Sequence, residues 1–183
     1  MSKVVSALSG ATAGGFASVR EIGPLGMISL RAKPDVAGLA AAITAATGAA
    51  LPAQRRIETA GGNACAWMSP DEYLLIVPYD QVAGALATLA DKLAGQHHLA
   101  VDVSDARAVF RLEGDAADQA LMKLAPADLA ALAPGEVRRT RLAQVAGAFW
   151  AADGGYTLVC FRSVAGYVMG LLSHSVKSGS ELF

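Results

Sequence analysis

Chemistry in this sequence would have to start from few residues: His97, His98 and His174, Cys65 and Cys160, Ser104 between Asp102 and Asp105, Asp128, and the arginines at 55–56 and 138–141. A metal site needs several ligands converging on one point. Neighbours on a strand face opposite ways, so His97 and His98 cannot share an ion, and His174 has no histidine, cysteine or carboxylate one helical turn away. No metal set is expected. Cys65, two residues before Trp67 in a strand pattern, has no neighbouring base and reads as a buried, unreactive thiol. Ser104 lacks the Gly-x-Ser-x-Gly elbow that exposes a nucleophile, so Asp102 and Ser104 read as turn residues bonded to nearby backbone N–H groups. Phosphate cradles of the Gly-x-x-x-x-Gly-Lys or Gly-x-Gly-x-x-Gly type are missing, and Gly14-Gly15 and Gly61-Gly62 precede strand-like sequence. A dinucleotide-binding unit is therefore not expected. Arg139 and Arg141 would share one face of a strand, where they could meet a phosphate or an acidic surface, or simply protect an exposed strand edge.

Composition narrows the field further. The chain has 183 residues, enough for one domain or two small interlocked halves, and its formal net charge of -1 gives no broad basic field for nucleic acid. Of the 54% apolar residues much is alanine, 39 in all, which fills space without burying much area. Two cysteines without a Cys-x-x-Cys pair exclude a disulfide framework and fit a reducing compartment. The uncharged stretches 4–19 and 36–54 are broken by Ser, Gly and Pro, so neither reads as a signal peptide or a membrane span. A cytoplasmic protein is expected.

The elements that must position these residues follow from periodicity. Ile28 and Leu30 alternate as in a strand, and Pro34-Asp35 opens a helix with Val36, Leu39, Ala40 and Ile43 inward, closed by Gly48 and Pro52. Strands around 55–59 and 64–68 meet at Gly61-Gly62-Asn63, and the apolar run Tyr73–Val77 is a strand covered on both faces. Asp80 caps a helix burying Val82, Leu86, Leu89 and Leu93; Leu99, Val101 and Val103 form the next strand. A strand through Ala108, Phe110 and Leu112 and a short helix starting at Gly114-Asp115 follow. Arg139–Ala151 then reads as one long strand, turned at Asp153-Gly154 into Tyr156–Phe161. Ser163 caps a last helix with Val164, Tyr167, Val168, Leu171 and Leu172 on one stripe. The repeated β-α-β-β order predicts an α+β fold of two ferredoxin-like halves, about 25–103 and 104–177 of a single domain, between a flexible segment over 1–24 and a tail over 178–183.

Several stretches are familiar. Ala100-Val101-Asp102-Val103-Ser104-Asp105-Ala106-Arg107 followed by Phe110-Arg111-Leu112-Glu113-Gly114 resembles the opening motif of the folate-binding domain of aminomethyltransferases. Residues 67–75 (Trp-Met-Ser-Pro-Asp-Glu-Tyr-Leu-Leu), 140–145 (Thr-Arg-Leu-Ala-Gln-Val) and 161–167 (Phe-Arg-Ser-Val-Ala-Gly-Tyr) resemble the gamma subunits of heterotetrameric sarcosine oxidases, a likeness that extends over about 25–176. The resemblance implies a non-catalytic subunit packed on an alpha subunit, with beta and delta subunits in the same complex. That complex would oxidatively demethylate sarcosine to glycine, pass the one-carbon unit to tetrahydrofolate and use FAD, FMN and NAD, all held by other chains. No cofactor, metal or catalytic residue is then expected on this chain, and neither nucleic acid nor membrane is an expected partner. Pro126-Ala127-Asp128-Leu129 resembles the site where aminomethyltransferases carry an Asn-Asp pair acting on folate; Ala127 replaces the Asn, and Asp128 reads as a cap for 129–133. Two other readings remain: a free-standing folate- or pterin-binding module, and a small enzyme using Cys65 or Asp128. The helix opening at Asp35 has no charged residue from Val36 to Thr47, so Ala41, Thr44 and Ala45 would present a smooth outer face to the alpha subunit or to a second copy.

Overall fold

Short apolar alternations produce eleven strands and four α-helices among residues 4–183, which the computed structural model describes. In chain order they are β1 (Thr12–Gly14), β2 (Ser18–Glu21), β3 (Gly26–Arg31), α1 (Leu39–Thr47), β4 (Ile57–Ala60), β5 (Asn63–Ser69), β6 (Glu72–Val77), α2 (Val82–Lys92), β7 (Leu99–Asp102), β8 (Arg107–Glu113), α3 (Ala117–Met122), β9 (Val137–Leu142), β10 (Val145–Ala152), β11 (Gly155–Phe161) and α4 (Ala165–Ser175). All strand pairs are antiparallel, in two sheets. The chain divides into two compact units, Leu25–Ser104 and the N-terminal stretch to Pro24 together with Asp105–Phe183. No described helix is long and apolar enough to cross a membrane.

The unit Leu25–Ser104 has strand order β4-β5-β6-β3-β7, the ferredoxin-like order with β4 added at one edge. Alternation sends Ile28, Leu30, Cys65, Tyr73, Leu75 and Val77 to one face, where Leu39, Ala42 and Ile43 of α1 and Val82, Ala85 and Leu89 of α2 cover them. Gly61 and Gly62 take φ of 55° and 92° to close the β4–β5 hairpin, a conformation that costs glycine nothing.

In the other unit the order is β1-β2-β8-β11-β10-β9, and its core is built on Phe110, Phe149, Leu112 and Leu158 against Leu121 of α3 and Val168 and Leu172 of α4. Here β8, β10 and β11 supply three strands of a ferredoxin-like set and β9 is added at one edge, as β4 is in the other unit; β2 supplies the fourth strand by pairing Ser18 with Glu113 and Glu21 with Phe110. Within the segment expected over 1–24, Thr12–Gly14 and Ser18–Glu21 thus form strands of this sheet. Val19 and Glu21 point inward while Ser18 and Arg20 point out, an alternation too short to stand out from sequence alone. Gly15 is required nearby, because a Cβ there would lie 1.7 Å from the Val176 carbonyl oxygen.

Other boundaries shift for local reasons. Helix α1 starts at Leu39, after turns at Pro34-Asp35, and this rotates Ala42 inward and leaves Ala40 exposed with Ala41, Thr44 and Ala45. Asp80 and Ser163 lie in 3-10 turns that precede α2 and α4, and neither caps its helix. The long strand expected over 139–151 is a hairpin instead: Ala143 turns at φ 50°, its N–H bound to the Leu124 carbonyl at 2.8 Å. On α4 only Ala165, Val168, Leu172 and Ser175 are buried, so Tyr167 lies outside the expected stripe.

Candidate functional site

Ser104 is the most enclosed of the polar candidates. Its hydroxyl accepts the Met27 N–H at 2.9 Å and donates to Asp102 Oδ1 at 2.5 Å, while the same oxygen of Asp102 accepts the Ser104 N–H at 2.9 Å. The local half of this arrangement is the turn expected from sequence; the reach to Met27 is not. The hydroxyl faces backbone on the inside of the unit, so it has a structural task and no path to a substrate.

Both thiols are sealed. Cys65 is 0% exposed, and burial, with Glu58 adding to it, pushes its pKa up to about 12; burial raises Cys160 to about 11, partly opposed by the Arg107 cation. Cys160 donates to the Phe161 carbonyl at 3.4 Å. A thiol that stays protonated at neutral pH and is out of reach of solvent cannot act as a nucleophile. The reading of Cys65 as a reactive residue does not survive this geometry.

Asp128 faces its own backbone. Oδ1 accepts the N–H groups of Ala130 at 3.1 Å and Ala131 at 3.2 Å, a capping pattern. Beside this loop an open depression of about 310 Å³ is lined by Lys123, Pro126, Arg141, Ala143 and Gln144 among others, but not by Asp128. The Lys123 ammonium is already committed to the carbonyls of Ser175, at 2.7 Å, and Ser180, and to the Ser180 hydroxyl. Asp128 Oδ1 and the Lys123 ammonium are thus both turned to the chain itself, and Arg141 and Gln144 are further polar side chains lining the depression.

The arginines and histidines are dispersed. Arg139 and Arg141 do share the outer face of β9, the edge strand of its sheet, while Arg138 turns the other way to pair with Glu136 at 2.9 Å. Arg55 and Arg56 precede β4 in a turn where Arg55 has φ 61°. His97 and His98 lie in the bend ahead of β7, with His98 Nδ1 3.0 Å from the Gln96 carbonyl, and His174 is exposed on α4. No group of three or more potential metal ligands occurs among the described residues.

Two polar anchors had no sequence signal. Glu21, 2% exposed, accepts the Ser6 hydroxyl and the N–H groups of Leu8 and Gly10 at 2.9–3.0 Å, and so holds the loop before β1. Gln119 accepts the Leu182 N–H at 2.6 Å and donates to the Phe183 carbonyl at 3.3 Å, tying the tail over 178–183 to α3. Each partner is far away in sequence, and no pattern in a single chain signals such a bond. Ser104, Asp128, Cys65 and Cys160 thus each hold backbone or fill the core.

Comparisons with known proteins agree with this architecture. The model of the sarcosine oxidase gamma subunit family matches residues 31–176. The sarcosine oxidase subunit gamma of an Arthrobacter species is 41% identical over 123 residues, 66% of this chain; the matched stretch spans 58% of that relative's own length. A chain of the heterotetrameric sarcosine oxidase from Corynebacterium sp. U-96, solved with pyrrole 2-carboxylate, superposes with a TM-score of 0.80 at 29% identity, covering 90% of this chain and 87% of that one. Aminomethyltransferase T of the glycine cleavage system from Bartonella henselae shares the fold, with a TM-score of 0.65 at 14% identity, over 90% of this chain and 48% of its own.

Proposed function

Because the chain belongs to the sarcosine oxidase gamma subunit family, we propose that it serves as the non-catalytic gamma subunit of a heterotetrameric sarcosine oxidase. The complex carries out oxidative demethylation of sarcosine to glycine and passes the one-carbon unit to tetrahydrofolate. FAD, FMN, NAD and the folate are held by other chains, and this subunit packs on alpha, with beta and delta in the same assembly. The superposition over 87% of a chain from such a heterotetramer carries this reading. Its support on this chain is that Ser104, Asp128, Cys65 and Lys123 are all engaged in holding the fold. Two buried thiols fit a reducing compartment, and we place the complex in the cytoplasm.

Purification of the tagged chain from its native host tests the proposal. Larger chains carrying flavin co-purify with it, whereas the isolated chain is colourless and makes no peroxide from sarcosine. A stoichiometric flavin band on the isolated chain contradicts the non-catalytic role. Tight folate binding by the isolated chain, with no larger partner captured, favours a free-standing folate- or pterin-binding module instead.

A further inference from the structure

Strand β7 ends its sheet, and no described strand pairs with its outer edge. The Val103 N–H donates to the Met27 carbonyl at 2.8 Å, so odd-numbered residues turn their backbone groups toward β3. Alternation then turns the N–H and C=O of Ala100 and Asp102 away from the sheet. Natural sheets guard such edges with charge, proline, a bulge or shortness; Leu99-Ala100-Val101-Asp102 is short and has neither proline nor bulge, and its one charge, Asp102, stands at its end. Ala100 packs on the core, leaving Leu99 57% and Val101 43% exposed together on the opposite face.

We propose that β7 is a self-pairing edge: a second copy of this chain adds its own β7 antiparallel, about a two-fold axis at Ala100. The outward backbone groups fix the register. Ala100 exchanges two N–H···O bonds with its own equivalent, His98 stands opposite Asp102 of the second copy, and Leu99 stands opposite Val101. Each end of the new pairing therefore sets an imidazole against a carboxylate, and the middle sets apolar against apolar. Asp102 is free to take part, because its two local bonds both fall on Oδ1. A register moved by two residues keeps the backbone bonds but places Asp102 opposite Ala100 and loses both imidazole–carboxylate pairs. This self-complementarity singles out a second copy as the occupant, and it does not depend on the proposed role in sarcosine oxidation.

Sedimentation of the isolated full chain over about a hundredfold range of concentration tests the pairing. The mass of the wild type rises toward that of a dimer. Ala100→Pro removes an outward N–H without touching a bond to β3, and Leu99→Lys with Val101→Lys puts charge on the exposed face; both stay monomeric at an unchanged melting temperature. His98→Asp sets carboxylate against carboxylate and weakens the dimer about tenfold. A wild type that stays monomeric throughout overturns the proposal, including the case in which β7 is covered only by a different chain in a co-purified complex. A dimer that persists in the double lysine variant overturns it as well, whatever happens to the folding of the proline variant.

Discussion

The Ser104 hydroxyl and the Met27 backbone, 77 residues apart in sequence, are joined by a 2.9 Å hydrogen bond that fixes the chain leaving β7 against the start of β3. Asp102 orients the hydroxyl from the other side at 2.5 Å. Ser104→Ala strands the Met27 N–H in a buried place, and leaving such a donor unsatisfied costs about 1–3 kcal/mol. Chemical denaturation of the variant reads this loss; an unchanged midpoint contradicts the structural role.

Glu21 is the carboxylate on which the N-terminal loop depends, since one buried side chain accepts from Ser6, Leu8 and Gly10. Hydrogen bonds to a charged group are worth about 1.5–3 kcal/mol each in favourable cases, so Glu21→Ala is expected to destabilise by at least about 2 kcal/mol. Hydrogen exchange distinguishes local from global loss: the amides of Leu8 and Gly10 lose protection first.

The two strands this anchor serves mark the limit of what a single sequence reveals. Gly61-Gly62 and Asp153-Gly154 announced their hairpins because positive φ is a local demand that glycine meets. Strand β2, by contrast, is four residues long and pairs with β8 some ninety residues later, so neither its length nor its polar residues distinguish it from a loose end. The turn at Ala143 was hidden for a similar reason, since its backbone is held by the distant Leu124 carbonyl rather than by a glycine or proline. At the candidate site, the turn that joins Asp102 to the Ser104 backbone and the buried strand position of Cys65 were legible. The enclosure that raises the Cys65 pKa, and the reach of Ser104 to Met27, required the fold.

Burial of the thiols makes stability fall in alkali. Cys65 and Cys160 hold their protons more tightly folded, at about 12 and about 11, than at the ordinary value of 9.0. Their contribution is complete below pH 9 and is lost as pH rises through 11 to 12, because the unfolded chain gains by ionising first. Thiol reagents at pH 8 leave both residues unmodified in the native protein and label both after denaturation. Rapid labelling of Cys65 in the folded state contradicts its enclosure.

Gly155 sits where a Cβ would come within 1.9 Å of the Leu112 carbonyl oxygen, at the end of the β8–β11 ladder where it pairs with Glu113. Backbone has to move to admit it. Gly155→Ala is expected to cost about 3 kcal/mol, toward the upper end for overpacking, and thermal unfolding measures it.

Asp128→Ala loses two capping bonds and about 1 kcal/mol of stability, with turnover of the assembled complex nearly intact. Thermal unfolding and the steady-state rate must be read together. A large fall in rate at an unchanged melting temperature makes Asp128 a functional carboxylate.

The most direct measurement of the central claim is native mass spectrometry of what the tagged chain captures from its host, coupled to a sarcosine oxidation assay. The account predicts a complex in which this chain accompanies larger flavin-bearing chains, with oxidation activity in the complex and none in the chain released from it. Recovery of the chain without such partners, or activity that stays with the released chain, contradicts it.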